Sequence, residues 1–177
     1  MNKNQIHLEK LSWENFTKVL KLRVNKDQRD FVATNNDSII HAFLTSSEGI
    51  PTYAFAIYKN KTIIGFISLL YDNDWTGYEY KDWLESDEYK SYEGKYYYAI
   101  WRFMIDKKYQ NKGYGRKALE LAMDFIKTLP AGNAEYMTIS YEPKNTVAKQ
   151  LYQSVGFKEY FNEYIKENDE ITCLLKM

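Results

Sequence analysis

The run from Tyr96 to Ile105 (Tyr-Tyr-Tyr-Ala-Ile-Trp-Arg-Phe-Met-Ile) is apolar, aromatic or β-branched at nearly every position and has no helical period. A strand of this kind is buried on much of both faces, so it needs cover above and below, which predicts a sheet with helices on its faces. The chain continues with Gln110-Asn111-Lys112-Gly113-Tyr114-Gly115-Arg116-Lys117-Ala118. From Gly115 to Thr128, residues Ala118, Leu121, Ala122, Phe125 and Ile126 recur at helical spacing, and the pattern stops before Pro130. Glycines between a strand and a helix let the backbone turn sharply and approach a ligand, and the first free N–H groups of the helix then point at whatever docks. From Arg102 to Lys117 six basic residues face one acid, Asp106. Together these features imply an anion site, most simply for a phosphate or pyrophosphate.

Other elements surround this unit. Ile6-His7-Leu8-Glu9 reads as a short strand. Ser12 is placed to cap a helix carrying Trp13, Phe16, Leu20 and Val24 on one face. A second helix is expected after Asp37 or Ser38, with Ile39, Ile40, Phe43 and Leu44 as its apolar set, behind the turn residues Asn35-Asn36-Asp37. Tyr53–Tyr58 and Thr62–Leu70 flank Lys59-Asn60-Lys61 as a hairpin. Glu135–Tyr141 is a further strand. Asn145–Val155 is a helix with Val147, Ala148, Leu151 and Val155 inward and Gly156 at its C′ position. Phe157–Tyr164 and Ile171–Leu175 close with an antiparallel hairpin. The pattern predicts an α+β or three-layer α/β fold in one domain over 1–177.

The 177 residues balance 24 Lys+Arg against 24 Asp+Glu, which argues against a general nucleic-acid binder. One cysteine, Cys173, excludes an intramolecular disulfide and a cysteine-based zinc site, and reads as a small buried apolar residue. His7 and His41 are isolated, so no metal site is expected. No apolar run approaches the roughly 18 residues of a membrane span. The first residues lack the apolar core of a secretory signal, so a cytoplasmic location is expected. The segment from Asp72 to Glu93 stands out, with eight acids against two lysines and Trp75, Tyr78, Tyr80, Trp83, Tyr89 and Tyr92 among them. It is too aromatic for a linker and reads as an ordered insertion with a short helix around Tyr80–Leu84.

Three readings of the glycine turn compete. Gly113-x-Gly115-x-x-Ala118 matches the end of a dinucleotide fingerprint, but that fold wants an acid closing the next strand, and this one ends in Ser140-Tyr141. A P-loop is excluded because no Gly-Lys-Ser/Thr follows at the right spacing. An ordinary strand–helix turn with a solvated basic face would explain a lone Gly-x-Gly. This one is not alone. Gln110-x-x-Gly113-x-Gly115 behind Phe103-Met104-Ile105-Asp106, with Asn145-x-x-Ala148-x-x-Leu151-Tyr152 and Gly156-Phe157 downstream, resembles the paired signatures of the GNAT family of N-acetyltransferases. The two stand in family order, with room for one helix and one strand between them, and cover roughly Tyr96 to Phe157. Leu22-Arg23-Val24, Gln28, Phe31-Val32-Ala33, Asn35 and Ser38-Ile39, with Trp101 to Asp106, are further similar to the bacterial spermine/spermidine branch.

The resemblance implies a mixed, mostly antiparallel sheet flanked by helices, and direct acetyl transfer from acetyl-CoA to an amine. By motif position the Phe103 N–H would meet the developing oxyanion. Phe103, Met104 and Ile105 would form the cofactor-binding edge, with Ile105 pairing the pantetheine like an added strand. Backbone N–H groups of Asn111, Lys112, Gly113, Tyr114, Gly115 and Arg116 would hold the pyrophosphate, and Asn145 the pantetheine arm. Tyr152 would protonate the departing thiolate; a tyrosine packed beside Leu151 is the competing reading. Some family members carry a glutamate where this chain has Ala99, so the base stays open among Glu79, Glu142 and a water chain through tyrosines. A base is needed because an alkylamine has an ordinary pKa of about 10. Asp72, Asp74, Glu79 and Asp82 of the acidic aromatic insertion suit a cationic acceptor, against the alternative of a solvated loop whose aromatics pack on the core. The expected acceptor is thus a small-molecule amine, a polyamine. An aminoglycoside, a peptide N-terminus, a protein lysine or non-catalytic acyl-CoA binding are the alternatives. No nucleic-acid or membrane partner is expected, and a homodimer is left open.

Overall fold

The computed structural model describes residues 5–75, 87–160 and 170–177. In chain order the elements are β1 (Ile6–Lys10), α1 (Phe16–Val19), a 3-10 helix (Lys26–Phe31), α2 (Asn35–Ser47), β2 (Thr52–Lys59), β3 (Thr62–Asp72), α3 (Asp87–Lys90), β4 (Tyr97–Ile105), α4 (Tyr114–Ile126), β5 (Tyr136–Tyr141), α5 (Thr146–Ser154), β6 (Lys158–Glu159) and β7 (Ile171–Lys176). The strands form one seven-stranded sheet in the order β1-β2-β3-β4-β5-β7-β6. Within it β4 and β5 run parallel and the other neighbours antiparallel. This is the expected mixed, mostly antiparallel sheet with helices on its faces.

Side chains alternate along each strand, so the sheet has two distinct faces. On one face α4 and α5 bury Ala118, Leu119, Ala122, Ile126, Ala148 and Tyr152 against Phe55, Ile67, Tyr98, Ile100, Ile139 and Tyr141. On the other, Val19 of α1 packs with Ala56, Ile63, Phe66 and Met104, while Trp75, Tyr92, Tyr97, Ala99 and Leu174 make a separate cluster. The pairing of β3 with β4 slips once: Ser68 stands opposite Arg102 and Leu69 opposite Ile100, which leaves Trp101 as an extra residue. A bulge of this kind reverses the alternation beyond it. Tyr98 and Ile100 face α4 and α5 before it, Phe103 and Ile105 after it, and Met104 turns to the α1 side. At the same level β4 loses its other neighbour. The last β4–β5 pair is Ile100 with Ile139, and β4 runs on to Ile105 alone on that edge.

Several sequence expectations are corrected. The first helix is a single turn that buries Val19, and Trp13 is 86% exposed. Asn15 explains the shortening: its side chain accepts from the Ser12 N–H and donates to the Lys10 carbonyl, so residues 12–15 form a turn held to β1. Helix α2 begins earlier, with Thr34 as N-cap accepting from the Asp37 N–H. Its buried residues are Asn35, Ser38 and Ala42, whereas Ile40, Phe43 and Leu44 are exposed. Small side chains let this helix lie close to the sheet, where Thr52 Oγ1 donates to the Ala42 carbonyl. Val147 also points outward, leaving Ala148 and Tyr152 as the buried residues of α5. The helix expected at Tyr80–Leu84 and the second half of the strand expected over Phe157–Tyr164 lie outside the described residues.

Helix α5 is anchored by Glu159, whose carboxylate accepts from the Tyr141 hydroxyl at 2.6 Å and pairs with Lys149 at 2.8 Å. The hydrogen bond from Lys149, then that from Tyr141, hold its pKa below the ordinary value. Glu159→Ala should therefore cost about 1–3 kcal/mol at pH 7, read as a fall in Tm. A depressed pKa stabilises above the unfolded-state value and loses that effect as pH falls through the folded one. The Tm gap between parent and variant should accordingly close below about pH 4.

Candidate functional site

At the end of β4 the chain enters a turn with two left-handed residues, Asn111 at φ 58° and Gly113 at φ 75°. Gly113 is the N-cap of α4 and makes no side-chain cap, so the amides of the first turn face outward. The conformational demand sits at Gly113: a Cβ there would meet nothing within 4 Å, but its backbone is one that L side chains rarely adopt. At Gly115 a Cβ would touch Ile105, Leu151 and Phe103 at ordinary distances of 3.7–3.8 Å. Arg116 and Lys112 spend their charged tips on the protein. The Arg116 guanidinium donates to Glu120 and to Ser154 of α5, and Lys112 Nζ donates to the Lys108 carbonyl. What the loop offers a ligand is its backbone.

Gln110 is a structural pin. Its amide donates to the Ile105 carbonyl and to Gln28 Oε1, both at 2.9 Å, and its oxygen accepts from Asn25 at 3.0 Å. The turn is thereby tied to the 3-10 helix. Asp106, 7% exposed, holds the same corner by accepting from the Arg23 and Lys108 N–H groups.

The open edge of β4 has a defined polarity. The Asp106 N–H donates to the Ile64 carbonyl of β3. By alternation, the amides of Met104 and Arg102 also face β3, and those of Phe103 and Ile105 face the gap left by β5. The Ile105 carbonyl is taken by Gln110, so its N–H is the group left for a ligand. Beside the gap stands Tyr152, 6% exposed on α5, whose pKa is raised by burial first and then by Cys173 and Glu170. Asn145 is the N-cap of α5, its Oδ1 accepting from the Ala148 N–H at 3.1 Å, which leaves its NH₂ free to donate.

The opposite face carries a cavity of about 400 Å³ lined by Leu22, Val24, Arg29, Val32, Asn35 and Met104, among others. Nearby, His41 of α2 stacks on Trp101 with ring centroids 6.1 Å apart, and the Arg102 guanidinium lies 4.7 Å from the same indole. Of the acidic residues singled out from sequence, Glu79 and Asp82 lie outside the described residues. Asp72 uses one oxygen to accept from the Asn73 and Asp74 N–H groups, and the Asp74 carbonyl accepts from the Tyr97 hydroxyl. Trp75 and Tyr92 are 1% and 4% exposed, so these aromatics pack into the core. Among the described residues no His/Cys/Asp/Glu group could hold a metal, and no helix is long and apolar enough to cross a membrane.

The acetyltransferase (GNAT) family model matches residues 8–157. The chain belongs to this family. No curated protein matches it. Among solved structures, the NatC complex bound to Gag peptide and CoA aligns at TM-score 0.64 and 18% identity, covering 98% of this chain and 99% of that one. Spermidine N-acetyltransferase from Vibrio cholerae, in complex with CoA and spermine, aligns at TM-score 0.63 and 17% identity over 97% and 95% of the two chains. A GNAT family acetyltransferase from Elizabethkingia anophelis with acetyl-CoA bound aligns at 0.58 and 18%, covering both chains fully. At these identities the likeness is one of fold. The residues of this GNAT chain fit a nucleotide-bearing thioester: an uncapped helix start with amides outward, and an unpaired strand edge leading from it.

Gly113→Val should weaken acetyl-CoA binding about tenfold or more, because forcing a β-branched residue into the left-handed region costs on the order of 1–3 kcal/mol. Since no neighbour crowds that Cβ, circular dichroism should stay unchanged while titration calorimetry reads the lost affinity.

Proposed function

We propose that this protein transfers the acetyl group of acetyl-CoA to a primary amine of a small polyamine, in a direct ternary complex. The observation that carries the reading is the continuous path from the outward amides at Gly113 along the free edge of β4 to the buried hydroxyl of Tyr152. Acetyl-CoA supplies the activated acetyl thioester. The amides from Asn111 to Arg116 hold its pyrophosphate, the Ile105 N–H and the Asn145 amide orient the pantetheine, and Met104 stiffens the edge from the opposite face. The Phe103 N–H stabilises charge as it develops on the thioester oxygen. Tyr152 keeps its proton through the neutral range, because burial raises its pKa, and so has one to give to the thiolate.

Charge supports a polyamine as acceptor. The acidic run starts where β3 and β4 end their pairing, at Asp72 opposite Tyr97. That point lies roughly 15–20 Å along β4 from the Phe103 amide, at about 3.3 Å per residue. Asp72, Asp74, Glu79 and Asp82 would hold the distal ammonium groups while the proximal amine reacts. The spermine complex of a protein with the same fold is consistent with such a ligand.

Tyr152→Phe should lower kcat about 10²–10⁴-fold with little change in acetyl-CoA affinity. A preserved kcat would make the residue a packing element. Thiol release from acetyl-CoA against a panel of spermidine, spermine, a monoamine, an aminoglycoside and a peptide N-terminus tests the acceptor. Exposed carboxylates act weakly one at a time. Neutralising Asp72, Asp74, Glu79 and Asp82 together should raise KM for spermidine far more than for the monoamine and leave the acetyl-CoA KM unchanged.

A further inference from the structure

The face of the sheet opposite Tyr152 carries one polar row through an otherwise apolar surface. Ser68 of β3 and Arg102 of β4 are paired in register, so their side chains share a face with Cβ atoms about 5 Å apart. Alternation places both on the side of Phe66 and Met104, between the α1 cluster and the Trp75 cluster. Ser68 is fully buried and its Oγ has no hydrogen-bond partner; neither has the buried Nε of Arg102. Polar atoms on paired residues, buried without partners, are costly. They mark a place where a polar group from outside belongs.

The row continues across the gap. Ser140 and Thr172 pair on the same face, their hydroxyls 3.3 Å apart, and Tyr141 pairs with Ile171. The residues next to that last pair are Glu142, which leaves β5, and Glu170, which leads into β7. The charges agree with this placement: Glu170 interacts with both Glu142 and Arg102, and its charge also reaches Tyr152 from across the sheet. Glu170 as a whole is exposed, yet lost hydration of its carboxyl, followed by repulsion from Glu142, raises its pKa despite the opposing pull of Arg102.

We propose that the row Ser68–Arg102–Glu142–Glu170 seats the acceptor amine and that Glu170 is the group that takes its proton. The proposal rests on the acetyl-transfer reading. It fills the role that the carboxylate absent at Ala99 leaves open. An ammonium nitrogen loses two protons on becoming an amide. Glu170 accepts the first, freeing the lone pair that forms the C–N bond. As the C–S bond breaks, its electron pair stays on sulfur, which takes a proton from Tyr152, and the second nitrogen proton balances that one. One proton per turnover passes from Glu170 to solvent. The base and the acid thus lie on opposite faces of the sheet, one on each side of the thioester. Burial first, then the charge of Glu142, raise the pKa of Glu170, and Arg102 lowers it.

The test is thiol release from acetyl-CoA with spermidine from pH 5 to 10, on the parent, Glu170→Gln and Glu142→Gln, with acetyl-CoA affinity measured separately. Glu170→Gln should lower kcat about 10²-fold or more at unchanged acetyl-CoA affinity. Glu142→Gln removes the like charge, so the ascending limb of kcat/KM should move to lower pH, which the amine's own titration would not do. A Glu170→Gln variant with parental kcat and pH profile, or an ascending limb that ignores Glu142→Gln, overturns the proposal and leaves acetyl transfer standing. A parent that binds acetyl-CoA but releases no thiol with any amine of the panel overturns the function itself.

Discussion

Everything chemical in this fold depends on β4 and β5 parting after Ile100 and Ile139. A parallel pair that stayed in register to its end would consume the amides of Phe103 and Ile105 in a ladder. Parting leaves them aimed into a gap, and backbone donors inside a sheet are costly to leave unpaired. A bound extended chain, peptide-like in its hydrogen bonding, is what repairs that loss. The bulge at Trp101 makes the arrangement possible, because it hands Phe103 and Ile105 to the α4 side just as β5 withdraws and turns Arg102 and Met104 to the other.

The parting also separates two environments. On the α4/α5 side the surroundings of Tyr152 are apolar, and burial keeps its proton in place. The α1/α2 side holds the charged and hydroxyl-bearing groups, the stacked His41–Trp101 pair and the cavity over Met104. The gap between β4 and β5 opens between these two environments. Gln110 links them mechanically, since its contacts to Gln28, Asn25 and Ile105 join the 3-10 helix to the strand edge and to the turn before α4.

Much of this was legible in the residues because its physics is local. The hairpin around Asn60, the strand from Tyr97, the helix from Tyr114 with its stop before Pro130, and the turn at Gly156 follow from period, turn chemistry and caps that neighbours in sequence supply. Long-range geometry was not legible. Trp101 looks like any other strand residue, and only the register against Ser68 and Leu69 shows it to be extra. Helix α2 misled for a related reason: Ile40, Phe43 and Leu44 have the right spacing for an inward face, but close approach to the sheet favours Ser38 and Ala42. Glu170 lies in no motif, and it is placed by the strand that follows it, whose Ile171 pairs with Tyr141 thirty positions upstream.

The strand order has a temporal side. β7 inserts between β5 and β6, both of which precede it in the chain. During synthesis β5 and β6 leave the ribosome with unsatisfied edges, and unpaired edges of that kind invite pairing between chains. The sheet becomes continuous only when the segment after Glu170 threads into the slot between them. A nascent chain halted before that point would hold the glycine turn and the Tyr152 helix, yet remain an open template for aggregation.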